Sequence, residues 1–202
     1  MITELRRRFG HQCVGIKVNC SSEMAYSPVK PIRFCEAVND AFKTPLIFNP
    51  QNLVCFGARR SMGFLHNDKE LVKHISDESG ISNQTVKKAL LEIPTMNTPI
   101  HNIFMGIDEE VEKEIQPDMY IMYINPSDLI ELIRNYAVKI NSYPAVRPYM
   151  FLSVCGNVFI STFKSARMSV SFGCPESRKY GGVKDNQLVV GLPYADAVQL
   201  FG

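Results

Sequence analysis

Residues 155–182 read CGNVFISTFKSARMSVSFGCPESRKYGG, and residues 35–63, CEAVNDAFKTPLIFNPQNLVCFGARRSMG, repeat their plan. The cysteines of the later stretch, Cys155 and Cys174, are 19 positions apart (174 − 155), and those of the earlier one, Cys35 and Cys55, are 20 apart (55 − 35). A Phe-Lys pair lies between the cysteines each time, as Phe42-Lys43 and Phe163-Lys164. After the second cysteine a basic pair follows at the fourth and fifth positions and a glycine at the eighth: Arg59, Arg60 and Gly63, then Arg178, Lys179 and Gly182. Agreement at so many offsets reads as a degenerate internal duplication. Two related units would put four cysteines and two arginines, Arg59 and Arg178, in equivalent places.

Around these units, strand and helix patterns alternate. Val14–Asn19 alternates apolar and polar residues, and Met119–Ile124 is a continuous apolar run of the kind that forms a strand covered on both faces. Further strands are expected at Leu46–Phe56, broken by Asn49-Pro50, and at 103–107, 168–173 and 187–192. Helices are expected at 35–43, after Gly57, at 127–140 behind the Asn125-Pro126-Ser127-Asp128 start signal, at 155–164, and after Pro193. Short connections between such elements predict an α/β fold, a mixed sheet with packed helices. One domain over 1–202 is expected, with halves 1–65 and 115–202 joined by a helical connection, 66–114. Within that connection, residues 71–93 (LVKHISDESGISNQTVKKALLEI) have the outline of a helix-turn-helix. Lys87 and Lys88 stand there without a wider basic patch, so two amphipathic helices joined at Gly80 account for the same pattern. The five acids between Asp108 and Glu114 read as a solvated loop or helix face.

With 202 residues and 46% hydrophobic content the chain can bury one sizeable core. A net charge of +2 gives no electrostatic case for nucleic acid or an anionic membrane. The N-terminal MITELRRRFGHQCVGIKV lacks the apolar run and cleavage site of a secretory signal, and no stretch nears the ~20 apolar residues of a membrane span. A cytoplasmic protein is therefore expected. In that reducing setting six cysteines point to buried, metal-bound or reactive thiols rather than disulfides. Cys13 and Cys20, which flank the first strand, are expected to be packing residues.

The chain has no HExxH, phosphate-binding glycine loop, GxSxG elbow or CxxC, and His11, His66, His74 and His101 are scattered. What remains is the set Cys35, Cys55, Cys155 and Cys174. Four thiolates suit a [4Fe–4S] cluster or a structural zinc ion. The wide sequence separation favours the cluster, because structural zinc sites usually use closely spaced pairs. A thiolate-held cluster is anionic, so Arg59 and Arg178 would tune it, with Gly57, Gly63 and Gly182 shaping the turns. Such a centre would serve electron transfer, redox sensing or activation of a small anion, with a redox partner or a small anionic ligand as its counterpart. A homo-oligomer is compatible with the sequence. The competing readings are a metal-free small-molecule or anion-binding module built on the arginines and glycine turns, a low-pKa redox thiol beside an arginine, and cysteines that merely pack.

The segments YMFLSVCGNVFISTF and SVSFGCPESRKYGGVKDNQLVVGLP resemble the closing signature of an uncharacterised prokaryotic family, domain of unknown function 169. There an SVC turn precedes an S-x-GC-x-x-SR turn and a stretch ending in GIP. GIKV at 15–18, IRFCEAV at 32–38, LVCFGARRSMGF at 53–64 and PDMYIMYINPSDLIELI at 117–133 resemble its earlier segments, so the likeness covers nearly the whole chain. It marks the same four cysteines as motif positions and makes 71–93 an internal connection. It assigns no activity. The chain departs from the family pattern at Gly57-Ala58, where two glycines are usual, and at Gly63-Phe64, where Gly-Leu is usual.

Overall fold

The computed structural model of the protein describes residues 1–10, 12–20, 30–65, 68–106 and 115–202. Its centre is a seven-stranded mixed sheet in the order β2-β3-β1-β4-β7-β6-β5. The strands are β1 (Cys13–Val18), β2 (Leu46–Phe48), β3 (Ile103–Gly106), β4 (Met119–Ile124), β5 (Ala145–Arg147), β6 (Ser169–Ser171) and β7 (Leu188–Pro193). Every pairing is antiparallel except β5 with β6.

The apolar run MYIMYI is strand β4, and its period of two explains why it carries no polar position. Met119, Ile121 and Tyr123 enter one core, while Tyr120, Met122 and Ile124 enter the other. Burying each such side chain stabilises the fold by about 1.5–3 kcal/mol. The sheet thus separates two helical layers. On the second-core side lie α1 (Ile2–Phe9), α6 (Pro126–Ile140) and α9 (Tyr194–Phe201), which contribute Leu5, Leu132, Tyr136 and Leu200. On the first-core side lie α2 (Phe34–Ala41), α3 (Phe56–Ser61), α4 (Lys69–Ser79), α5 (Asn83–Glu92) and a π-helix, Ser153–Ile160, that runs on into α7 (Ser161–Ser165). The short α8 (Pro175–Lys179) reaches α2 across this layer.

The two units quoted at the outset fold alike. In each, a helix carries the first cysteine (α2; the π-helix with α7), a short strand follows (β2; β6), and the second cysteine is the extended residue that opens a short helix (α3; α8). The glycines at the eighth offset both take left-handed backbone, φ 83° at Gly63 and 70° at Gly182. A side chain is disfavoured there, so the repeat records a shared backbone requirement.

Two expectations shift. The strand expected over 46–56 ends at Phe48, because the Asn49 side chain accepts from the Gln51 N–H and starts a 3₁₀ turn with Pro50 in its first position. The helix expected at 155–164 begins at Ser153 and is a π-helix as far as Ile160. The outlined helix-turn-helix is α4, a left-handed Gly80 and α5, capped by Ser82. Its apolar faces, including Leu71, Ile75, Val86 and Leu90, enter the first core, as an internal connection should. The acidic stretch 108–114, His11 and His66 lie outside the described residues.

Candidate functional site

The four repeat cysteines all belong to the first-core layer. Cys35 is the second residue of α2, Cys55 and Cys174 open α3 and α8, and Cys155 is the third residue of the π-helix. Glycines set how closely the two units approach. A Cβ on Gly181 would stand 2.7 Å from the Cβ of Cys35 and 2.7 Å from the Ser177 carbonyl oxygen. One on Gly57 would stand 2.9 Å from Leu152 Cγ, and one on Gly156 would stand 3.0 Å from Ser61 Oγ. Gly182 lies against Asn39 of α2. Each unit therefore presses a glycine of its second turn onto the first helix of the other, and the Cys35 thiol reaches the Glu176 carbonyl (3.9 Å).

Backbone N–H groups near Cys35 and Cys55 ease those thiols down. The Glu36 N–H faces Cys35, and the Phe34 and Ala58 N–H groups face Cys55. Cys174 shares a reciprocal cap with Ser177, whose hydroxyl accepts from the Cys174 N–H at 2.8 Å. Beside Cys155 stands the Ser61 hydroxyl, which eases that thiol down while donating its proton to the Gly57 carbonyl at 2.8 Å. Such donors favour thiolates. Burial nevertheless wins: it pushes the thiols of Cys35, Cys55 and Cys155 up. The neighbouring sulfurs push further in the same direction, Cys174 and Cys55 acting on Cys35, and Cys55, Cys174 and Cys35 acting on Cys155. Glu176 raises Cys35 and Cys55 as well, whereas Arg33 eases Cys55. The four thiols thus lie near enough to influence one another, and Arg33 is a cation that eases one of them. All six cysteines are free.

Val158 and Phe159 are sealed, whereas Cys35, Cys155 and Cys174 are 8–9% exposed. Above them Arg33 pairs with Glu176 at 2.8 Å and stacks over the Tyr180 ring at 4.4 Å, with His74 3.9 Å from the same carboxylate. Tyr123 of β4 lies below; its phenol is fully buried, and burial, then Cys35 and Cys174, push it well up.

The basic pairs of the repeat diverge in role. Arg59 is exposed, and its neighbour Arg60 is buried, bonded to Asp68 and to the carbonyls of Leu90 and Ile93. Arg178 clamps its own loop through the carbonyls of Phe172 (2.7 Å) and Lys184 (2.6 Å). Cys13 lies in the opposite core, and Cys20 donates to Asn102 Oδ1. Sequence reasoning missed Arg33, Ser61, Glu176 and Tyr123. All four lie in segments that resemble the family, but that signal was not residue-specific.

Among the described residues, no group of three or more His, Cys, Asp or Glu side chains stands where it could hold a metal ion in the positions they occupy. No helix there is long and apolar enough to cross a membrane.

The class is a mixed α/β fold in which two matched units each carry two cysteines. The family model of domain of unknown function 169 (DUF169, described as uncharacterised ArCR) matches residues 7–201, and the chain belongs to that family. No curated protein and no solved structure matches the chain.

Proposed function

We propose that this is an iron–sulfur protein in which Cys35, Cys55, Cys155 and Cys174 hold a [4Fe–4S] cluster for one-electron redox work. The observation that carries the proposal is the close meeting of segments far apart in sequence: a Cβ on Gly181 would stand 2.7 Å from the Cys35 Cβ, the Cys35 thiol reaches the Glu176 carbonyl at 3.9 Å, and the Cys174 side chain accepts at the start of its own short helix. Four thiolates crowded in a poorly solvated place repel one another, and a positively charged metal core offsets that repulsion while using the donors already aimed at sulfur. The donor set is all sulfur, which suits iron–sulfur chemistry. A single zinc ion needs its thiolates gathered at ~2.3 Å, tighter than a polynuclear core requires. When bound, the cluster would accept and release one electron. With four protein ligands it would have no position reserved for substrate.

Arg178 is occupied by its own loop and Arg59 is exposed. That favours the thiols over an arginine-based anion cleft as the working groups. In the same reading, Arg33 takes over the part first assigned to those arginines.

The test is metal and sulfide analysis with a visible spectrum on protein purified without oxygen. About four irons and four sulfides per chain are expected. Serine at any of the four positions should lower iron content, whereas Cys13→Ser should leave it unchanged. Folded protein that holds no iron overturns the proposal, and stoichiometric zinc in its place converts the site to a structural one.

A further inference from the structure

The sheet face beneath the thiols carries hydroxyls that the fold does not satisfy. Tyr123 points from the middle of β4 into the first core, its ring edge-on to Phe42 at 4.9 Å. Phe42 ends α2, the helix that carries Cys35. Across the sheet Tyr123 pairs with Val189, and Val189 pairs with Ser171, three residues before Cys174. Tyr123 and Ser171 therefore share a face, and both hydroxyls are buried without a hydrogen-bond partner. A buried, unpartnered phenol has given up its water hydrogen bonds for nothing, whereas phenylalanine would fill the same space free of that cost. Tyr123 stands between Phe42, which ends α2, and the strand that leads to Cys174, and the Cys35 and Cys174 thiols both act on its phenol.

We propose that the Tyr123 hydroxyl donates a hydrogen bond to sulfur of the group held at Cys35 and Cys174, and so raises that group's affinity for an electron. The inference rests on the iron–sulfur reading above. A donor near sulfur stabilises the reduced, more negative state, one of the main levers a protein has on such a potential. Tyr123 is thus a tuning residue, placed on the most deeply buried strand, where its donor cannot swing away.

The experiment compares wild type with Tyr123→Phe, which removes the hydroxyl and little else. Iron and sulfide are measured first on wild type; a folded, iron-free wild type overturns both this inference and the reading beneath it. With iron present, the variant should keep its iron and visible spectrum but show a lower midpoint potential in a redox titration. A tenfold drop in the one-electron reduction constant corresponds to ~59 mV. An unshifted potential in an iron-loaded variant overturns this inference alone. After metal removal the variant should unfold at the same or a higher temperature than wild type, since an orphaned hydroxyl has gone. A lower temperature would mean that the hydroxyl has a partner within the fold, and would overturn the inference independently.

Discussion

Arg60→Met should destabilise the protein by about 3–4 kcal/mol, and the figure follows from what its guanidinium holds. It donates to the Leu90 carbonyl at 2.8 Å and the Ile93 carbonyl at 3.3 Å, at the C-terminal end of α5. Hydrogen bonds to a charged group are worth about 1.5–3 kcal/mol, and a stranded buried carbonyl costs a similar ~1–3 kcal/mol. The second bond is long, so the two together are placed near 3 kcal/mol. Arg60 Nε also meets both carboxylate oxygens of Asp68, at 3.1 and 3.0 Å. Asp68 is 38% exposed, so that pair adds at most about 1 kcal/mol. Methionine keeps most of the stem volume and isolates the polar effect. Urea unfolding by circular dichroism is the assay, and the melting temperature should fall by roughly 10 °C for a chain of this size. Arg59→Met, at the exposed neighbour, should change stability by no more than about 0.5 kcal/mol. A loss below about 1 kcal/mol for Arg60→Met, or equal losses for both variants, would refute the argument that the +5 arginine locks α3, and with it Cys55 and Ser61, onto the α4–α5 hairpin.

Two further outcomes test the backbone and the surface. Alanine at Gly63 or Gly182 incurs the left-handed strain of about 1–2 kcal/mol, but Gly63 is hemmed in by backbone atoms of Met96, Thr98 and Pro99, whereas Gly182 meets the movable Asn39 side chain. Gly63→Ala should therefore cost more in denaturant titrations, and Asn39→Ala should rescue only Gly182→Ala; equal costs would contradict the contact analysis. Hydrogen bonds from Arg7, then Arg8, hold the Glu4 carboxyl down at about 2 against the usual 4.5. Because the folded pKa is depressed, the contribution of Glu4 to stability is present above pH 4.5 and fades as pH falls towards about 2. A carbon-detected NMR titration of Glu4 should place its midpoint there, and a midpoint near 4.5 would show that the α1 pairs do not persist in solution.

Much of the layering was legible because periodicity reports burial. MYIMYI could only be a strand covered on both faces, and PSDLIELI carried its own helix start. The repeat went further, since its matched glycines reflect a backbone angle that chemistry imposes locally. The basic pairs were less informative. Arg59 and Arg60 are neighbours on a helix, so they face different surroundings, and nothing in their spacing says which one turns inward. At Leu46–Phe56 the break at Asn49-Pro50 was legible, but not that pairing would end there instead of resuming beyond it. Tyr123 was hidden for a related reason: within an apolar run, a tyrosine valued for its hydroxyl and one valued for its ring look identical. Arg33 escaped notice because its partner, Glu176, is 143 positions away.

The thiol site closes only when α2 and α8 meet, and this has a consequence for synthesis. Cys35 and Cys174 are separated by 139 positions (174 − 35). At a translation rate of ~5–20 residues per second, Cys35 leaves the peptidyl-transferase centre roughly 7–28 s before its last sulfur neighbour exists. Until then neither unit can bury its half of the site against the other, and early thiols are open to oxidation or to stray metal. A site that draws on all four thiols is therefore complete only once Cys174 has been made.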